Sequence, residues 1–269
     1  MITEHWERIL PHNSIGSLAD LTAAVERVGL VYPFPPDPTR PFLPSAFPAL
    51  ATADDHQRWD WMWPWKEQLA ESGTVYYGKL IGAKPTLVSA THLPLLFALT
   101  GQTGDLWDDL ETIGESVRVP ELAKQVLLHL EENGPTGTRK LAQALTDGSK
   151  GMKGALDKAL LFLDSHLLIV KVGSEGGNSF ANTWDLFGRR WAGVVDAGTA
   201  IPTREAAVDV LKLLFGLTPA IQVRYMGKLL AFGGEQIQRA VVRLQAEGWL
   251  ETGLIEKKEA LIAQSVLVG

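Results

Sequence analysis

The chain has 269 residues, 46% hydrophobic and 21% charged, a composition that excludes whole-chain disorder and supplies enough apolar material for one large or several small domains. It has no cysteine, which excludes disulfides, thiolate nucleophiles and cysteine-ligated zinc. The formal charge of −6 argues against polyanion binding over the whole surface.

That average hides an asymmetry. Residues 1–120 hold 8 Lys+Arg against 15 Asp+Glu, while residues 121–269 hold 17 against 16, so a DNA-facing surface is expected in the second half. The opening MITEHWERIL lacks a basic segment followed by an apolar run, and no uninterrupted apolar stretch reaches ~18 residues. A cytoplasmic protein without membrane spans is expected, nucleoid-associated if it binds DNA.

In chain order, Leu18, Leu21, Val25 and Val28 are spaced three or four apart and predict a helix over 18–28. Seven prolines between Pro33 and Pro48 then fix φ and remove donors, which predicts a wrapping loop or linker. Trp59, Trp61, Trp63 and Trp65 follow at alternate positions, with Pro64 among them, and this period of two predicts an extended segment. Val75–Ile81 and Thr86–Ala90 predict two strands about a turn at Gly82–Pro85. Leu93–Leu99 is apolar and predicted buried, and the acidic stretch Asp105–Glu115 is predicted to be surface.

After Val119-Pro120 a pattern begins that occurs twice. Glu121–Glu132, Thr138–Leu145 and Gly151–Asp164 predict three helices, followed by strands at Leu167–Val172 and Ser179–Leu186 about the turn Ser174–Asn178. The order of three helices and a hairpin is that of a winged helix-turn-helix. Beyond Gly188-Arg189-Arg190, helices are predicted at Thr203–Phe215, Ile221–Phe232 and Gly234–Glu247, with strands at Trp249–Glu251 and Ala260–Val266. The helix-to-strand phrases Leu163–Leu168 and Leu244–Leu250 correspond. The expected fold class is mainly α with small β wings, in tandem winged helix-turn-helix repeats. The expected division is an acidic domain over 1–119 with the Pro-rich loop, a winged helix over 120–187, and a connector plus winged helix over 188–269. The first of these is open to reading as a degenerate third copy, of which only the late hairpin is legible.

The chain resembles the AlkZ-related (YcaQ-like) family of tandem winged-helix proteins. The resemblance is carried by Trp63-Pro64-Trp65-Lys66, Tyr76-Tyr77-Gly78-Lys79-Leu80, Lys84-Pro85-Thr86 and Leu167-Leu168-Ile169-Val170-Lys171-Val172, and it extends from about Leu18 to the C-terminus. It implies DNA binding and, for the family's characterised members, DNA glycosylase action on alkylated or crosslinked bases. Those enzymes use a glutamine-apolar-glutamine or glutamine-apolar-aspartate motif near the N-terminus, and none occurs in the first 120 residues here. Gln236-Ile237-Gln238 has the letters but opens the third helix of the last repeat. Its catalytic role is not carried over, and the catalytic residues stay unknown.

With Ile237, Ala240, Val241 and Leu244 turned inward, Gln236, Arg239 and Arg243 share an outer flank of that helix, and Arg and Gln are the side chains that read guanine and adenine edges. An ordinary solvated face is the competing explanation. Lys150, Lys153, Lys171, Lys257 and Lys258 are candidate phosphate contacts. In the middle repeat the outer positions are Gly154, Asp157, Lys158 and Leu161, a poorer reader, and an outward Leu suggests a protein contact. The Trp run either stacks on bases or clamps the proline-rich segment to the core, the second being favoured.

No phosphate-binding glycine loop, zinc-protease helix or nucleophile elbow is present. The six His have no pair at metal-ligating helical spacing, so neither metal nor cofactor is expected. Asp54, Asp55 and Asp60, and Asp105, Asp108 and Asp109, are the dense carboxylate groups, with nothing to raise them to acid–base candidates. The expected activity is double-stranded DNA binding; a repair glycosylase or damaged-base binder, and a protein–protein scaffold, stand as alternatives.

Overall fold

The computed structural model describes residues 2–35, 42–52, 54–175 and 181–264. After α1 (Ile2–Ile9), α2 (Leu18–Val28) is capped by the Ser17 hydroxyl accepting from the Asp20 N–H and buries Leu21, Ala24, Val25 and Val28. The chain then passes through β1 (Leu30–Val31) and the proline-rich segment to α3 (Asp55–Ser72), β2 (Val75–Lys79) and β3 (Pro85–Ser89). Pro36, Pro38 and Pro41 of the proline-rich segment lie outside the described residues.

The tryptophan run corrects the expectation of an extended segment, since all four rings lie on α3. Alternate positions on a helix form two i,i+4 pairs, and here Trp61 stacks on Trp65 at 5.4 Å while Trp59 and Trp63 both meet Phe34. Asp54 caps the start by accepting from the His56 N–H, and Gly73 closes the end in the left-handed region at φ 70°. Pro64 removes one internal hydrogen bond, which the flanking ring contacts and caps offset. The Phe34 contacts, with Phe47 against Trp59 at 4.9 Å, match the clamp favoured from sequence.

Next come α4 (Leu93–Thr100), whose Leu93, Leu96, Phe97, Ala98 and Leu99 are buried, and α5 (Leu106–Ser116). The acidic stretch on α5 is not simply surface. Leu110 enters the core, and buried Asp109 accepts from the Thr103 and Gly104 N–H groups at 2.7 and 2.9 Å.

The middle segment is α6 (Ala123–Asn133), β4 (Thr136–Gly137), α7 (Thr138–Leu145), α8 (Lys150–Ser165), β5 (Ile169–Ser174) and β6 (Asn182–Leu186). Residues 176–180, which include most of the expected glycine-rich turn and the first part of the expected Ser179–Leu186 strand, lie outside the described residues. Through α9 (Phe187–Arg190) and α10 (Ala192–Thr199) the chain reaches α11 (Thr203–Leu217), β7 (Ala220–Gln222), α12 (Val223–Met226), α13 (Gly234–Ala246), β8 (Leu250–Ile255) and β9 (Lys258–Ala263).

The helix expected over Ile221–Phe232 is thus a short strand and a single turn. Ile221 is taken by the sheet, opposite Leu261, and Leu229 and Phe232 are buried from irregular backbone. The last hairpin is longer on its first strand than expected, and the end of the expected final strand, Ser265 and Val266, lies outside the described residues.

The middle and last segments both run helix, strand, two helices, hairpin, the tandem winged helix-turn-helix order. Among the described residues, three three-stranded antiparallel sheets share one plan, with the short first strand beside the last: β1-β3-β2, β4-β6-β5 and β7-β9-β8. The helix exits match too. A buried leucine is followed four residues later by a left-handed residue, Leu69 and Gly73 (φ 70°), Leu163 and Leu167 (φ 59°), Leu244 and Gly248 (φ 71°). In the last two, the next N–H closes onto the leucine carbonyl, Leu168 to Leu163 at 3.0 Å and Trp249 to Leu244 at 2.8 Å.

One apolar core joins both ends of the chain, including Leu21, Val25, Leu69, Tyr76, Phe97, Phe187, Leu211, Phe215 and Leu244. Phe97 stacks on Phe187 at 5.6 Å, nearly parallel. A second core comprises Leu110 with Leu122, Val126, Leu127, Leu130, Leu141, Leu156, Leu163 and Trp184. Each such side chain contributes roughly 1.5–3 kcal/mol on burial. Between the two cores α3 lies against β5, and the end of α8 lies against β2.

Candidate functional site

That junction holds a cavity of about 200 Å³. Helix α3 supplies Trp63, Lys66 and Glu67; β2 supplies Tyr77, Gly78 and Lys79; Asp164 comes from the end of α8, Lys171 from β5, and Asn182 and Trp184 from β6. Three of the four phrases that carry the family resemblance converge here: Trp63 to Lys66, Tyr76 to Leu80, and Leu167 to Val172.

Two ammonium groups share one carboxylate oxygen. Lys171 Nζ donates to Glu67 Oε1 at 2.6 Å, and Lys66 Nζ donates to the same oxygen. Both lysines are buried, at 4% and 3% exposure, depths at which a charge is retained only when paired. Lys66 Nζ also lies 4.2 Å from the centre of the Trp63 ring, a cation–π contact, and Lys171 Nζ lies 5.2 Å from that of Tyr77. Glu67 Oε2 is buried and has no hydrogen-bond partner among the described residues.

The charge states follow from this packing. Burial lowers Lys171 to about 8, assisted by the neighbouring Lys66 charge and opposed by Glu67. Burial opposes ionisation of Glu67, but hydrogen bonds from Lys171 and Lys66 outweigh it and hold the carboxyl below its usual value. Burial pushes Asp164 up to about 7, although its Oδ2 accepts from the Lys79 N–H at 3.1 Å and its Oδ1 from the Tyr76 hydroxyl at 3.4 Å. Burial also raises both Tyr76 and Tyr77. Gly78 is required by close approach, since a Cβ there would lie 2.7 Å from Asp164 Oδ1 and still nearer the Tyr76 hydroxyl.

Lys171 was expected as a wing phosphate contact, and the structure places it instead inside this cleft. The other expected residues are dispersed over two units. On α13, Ile237, Ala240 and Leu244 are buried, Gln236 is half-buried, and Arg239 and Arg243 are exposed, as the helical spacing required. Neither arginine is free. Arg239 pairs with Glu235, and Arg243 donates to Glu247 at 2.9 Å and Glu205 at 3.0 Å, contacts that raise its pKa and lower that of Glu205. Lys257 and Lys258 are exposed at the tip of the last hairpin, where Glu256 and Lys257 both take positive φ.

Lys150 and Lys153 are exposed on the first turns of α8. Arg139 and Lys140 on α7 and Lys158 on α8 are exposed with them, and none of the five side chains has an ion pair among the described residues. Of these, Arg139 and Lys140 were not singled out from the sequence, though the run Thr138-Arg139-Lys140 opening a second helix was a usable signal. Lys66, Glu67, Tyr77 and Asp164 were missed as a group because their proximity depends on packing across residues 63–184. Among the described residues no group of three His, Asp or Glu side chains is placed to hold a metal, and no helix is long and apolar enough to cross a membrane.

The AlkZ-related family pattern matches residues 15–231. Among solved structures, the Streptomyces sahachiroi DNA glycosylase AlkZ is similar, with a TM-score of 0.57 at 16% identity, over 99% of this chain and 70% of that one. A likeness at that identity concerns the fold. No curated protein matches the chain.

Proposed function

The chain belongs to the AlkZ-related family, and from that premise we propose that it binds double-stranded DNA through its winged-helix units and receives an extruded nucleotide in the cleft between α3, β2 and β5. The observation that carries this reading is the set of five exposed cations on α7 and α8 that have no ion pair among the described residues, with an aromatic-lined cleft at the far end of α8. Phosphate affinity comes from Lys and Arg that displace counterions, and cations already held by carboxylates contribute less.

The middle unit is therefore the main phosphate contact, through Lys150 and Lys153 with Arg139, Lys140 and Lys158 beside them. The last unit supplies Gln236, Arg239 and Arg243 toward base edges and Lys257 and Lys258 toward the backbone. We read the acidic first segment as a degenerate winged helix whose middle helix is replaced by the proline-rich stretch, a reading supported by its β1-β3-β2 sheet order and the Leu69–Gly73 exit. Trp63 and Tyr77 form aromatic walls of the cleft beside which an extruded base or sugar would lie.

Fluorescence anisotropy with an undamaged duplex and one carrying an alkylated base, each at two salt concentrations, tests the reading. Salt-sensitive binding is expected. Replacing Lys150 and Lys153 by Gln should weaken it and reduce the salt slope by about 0.9 for each phosphate that is no longer neutralised. Replacing Arg239 and Arg243 by Ala tests the last unit, and unchanged affinity would remove both from the interface. Preference for the damaged duplex, with release of its base, would identify a glycosylase.

Absence of binding to either duplex at low salt overturns the proposal. A protein-contact reading then leads, supported by the exposed apolar residues Leu161 (41%), Val242 (62%) and Leu254 (73%) on α8, α13 and β8.

A further inference from the structure

We propose that Lys171 is an imine-forming nucleophile that condenses with the open-chain aldehyde of an abasic deoxyribose entering the cleft. The proposal rests on the cleft's being a nucleotide pocket and adds an activity to it.

The geometry carries three parts of such a site. The first is a buried primary amine facing a cavity of about 200 Å³, below the ~300–1,000 Å³ typical of drug-sized ligands and suited to a single sugar or base. The second is a neighbouring cation. Lys66 and Lys171 both rest on Glu67 Oε1, so one carboxylate oxygen serves two ammonium groups, and the cleft's other carboxyl, Asp164, is pushed up to about 7 and so offsets their charge only in part near neutrality. Loss of a proton from one amine relieves the charge left over, and a desolvated lysine beside another cation is an established way of making a free amine nucleophile.

Of the two amines it is Lys171 Nζ that has the longer aromatic contact, 5.2 Å to the Tyr77 ring against 4.2 Å from Lys66 to Trp63. The lowering of Lys171 to about 8 agrees, because an appreciable fraction of amine is then present at neutral pH. The third part is a proton carrier. Glu67 Oε2 is buried, has no partner among the described residues, and belongs to the carboxylate that touches Lys171.

The chemistry balances without an oxidant or reductant. The neutral Nζ attacks the carbonyl carbon, the C–N bond forms and the C=O π pair moves to oxygen. Glu67 carries one proton from the nitrogen to the alkoxide, giving the neutral carbinolamine, and then a second from the nitrogen to its hydroxyl as the nitrogen pair forms C=N. The C–O bond breaks, water leaves, and the imine of Lys171 remains.

The test is reductive trapping. The full-length protein is incubated with a duplex containing one abasic site and sodium cyanoborohydride, the covalent product is resolved by denaturing electrophoresis, and the modified lysine is located by peptide mass mapping. Duplex binding is measured in parallel by anisotropy. The expected result is an adduct on Lys171, formed faster as pH rises toward 8, slowed in Glu67→Gln, and reduced at least tenfold in Lys171→Arg. That variant keeps a cation for Glu67 and forms no imine; Lys171→Met serves if it does not fold.

An adduct confined to surface lysines such as Lys150 or Lys153 overturns the proposal. So does absence of an adduct when the duplex binds, an outcome that leaves the DNA reading intact. If the duplex does not bind, the DNA reading fails separately, and the amine is tested with 2-deoxyribose 5-phosphate as aldehyde. Modification of Lys171 by that probe supports the imine chemistry, and its absence overturns it.

Discussion

Replacement of Asp164 by Asn should make the protein more stable above neutral pH and remove a defined part of its pH dependence. Asp164 is 3% exposed, and burial raises its carboxyl from 3.8 to about 7. The folded-state value lies above the unfolded one, so the unfolded chain releases this proton first. Folding stability from this group is therefore fully present below about pH 4, is lost progressively as pH rises to about 7, and is constant beyond. The interval corresponds to ~4 kcal/mol in total and to about 2 to 3 kcal/mol between pH 5 and pH 8.

Asn preserves the contacts. Its oxygen accepts from the Lys79 N–H as Asp164 Oδ2 does at 3.1 Å, and its amide donates to the Tyr76 hydroxyl, which now meets Oδ1 at 3.4 Å. Urea unfolding followed by Trp fluorescence at pH 5, 6.5 and 8 gives the difference between the two proteins, in which other titrating groups cancel. The variant should gain roughly 2 to 3 kcal/mol relative to the parent over that range. A difference that is flat with pH, or that falls, refutes the assignment of a buried carboxyl titrating near neutrality.

Two further substitutions test the packing around the cleft and the second core. Gly78→Ala should cost about 1–3 kcal/mol in urea unfolding, since the new Cβ would overlap the Tyr76 hydroxyl and Asp164 Oδ1; a neutral result would show that this strand relaxes freely. Asp109→Ala should cost ~3 kcal/mol or more, because two backbone N–H groups and the Thr103 hydroxyl lose their acceptor, and Asp109→Asn should recover part of it.

Much of the architecture was legible locally. The periodicity of Leu18–Val28 and of Thr138–Leu145 is that of the observed helices, and the paired phrases ending at Leu168 and Leu250 marked the same helix exit twice. These features depend on neighbours within a few residues. The tryptophan run was misread because alternation along a sequence suits both a strand and two i,i+4 ridges of a helix, and only the docking of Phe34 and Phe47 against α3 distinguishes them. The segment over Ile221–Phe232 failed for the converse reason. Its apolar spacing fits a helix, but the central strand of the last sheet, residues 258–263, claims Ile221 for an edge strand.

The candidate site divides in the same way. Which face of α13 points outward followed from sequence, because the 3.6-residue repeat determines it. That Arg243 is held by Glu205, 38 positions earlier, did not. Lys171 was recognised as a cation, but its burial against Glu67, 104 positions away, made a wing lysine into part of an interior cluster.

By itself, the sequence determined the mainly helical class with small β hairpins, the absence of thiol chemistry and the outward residues of the last helix, all properties of composition or short-range periodicity. Only the tertiary structure decided which cations are free, which are neutralised, and that Lys66, Glu67, Tyr77, Asp164 and Lys171 share one cleft. Charge state and proximity depend on burial and on partners distant in sequence, and both are created when the two cores close on each other.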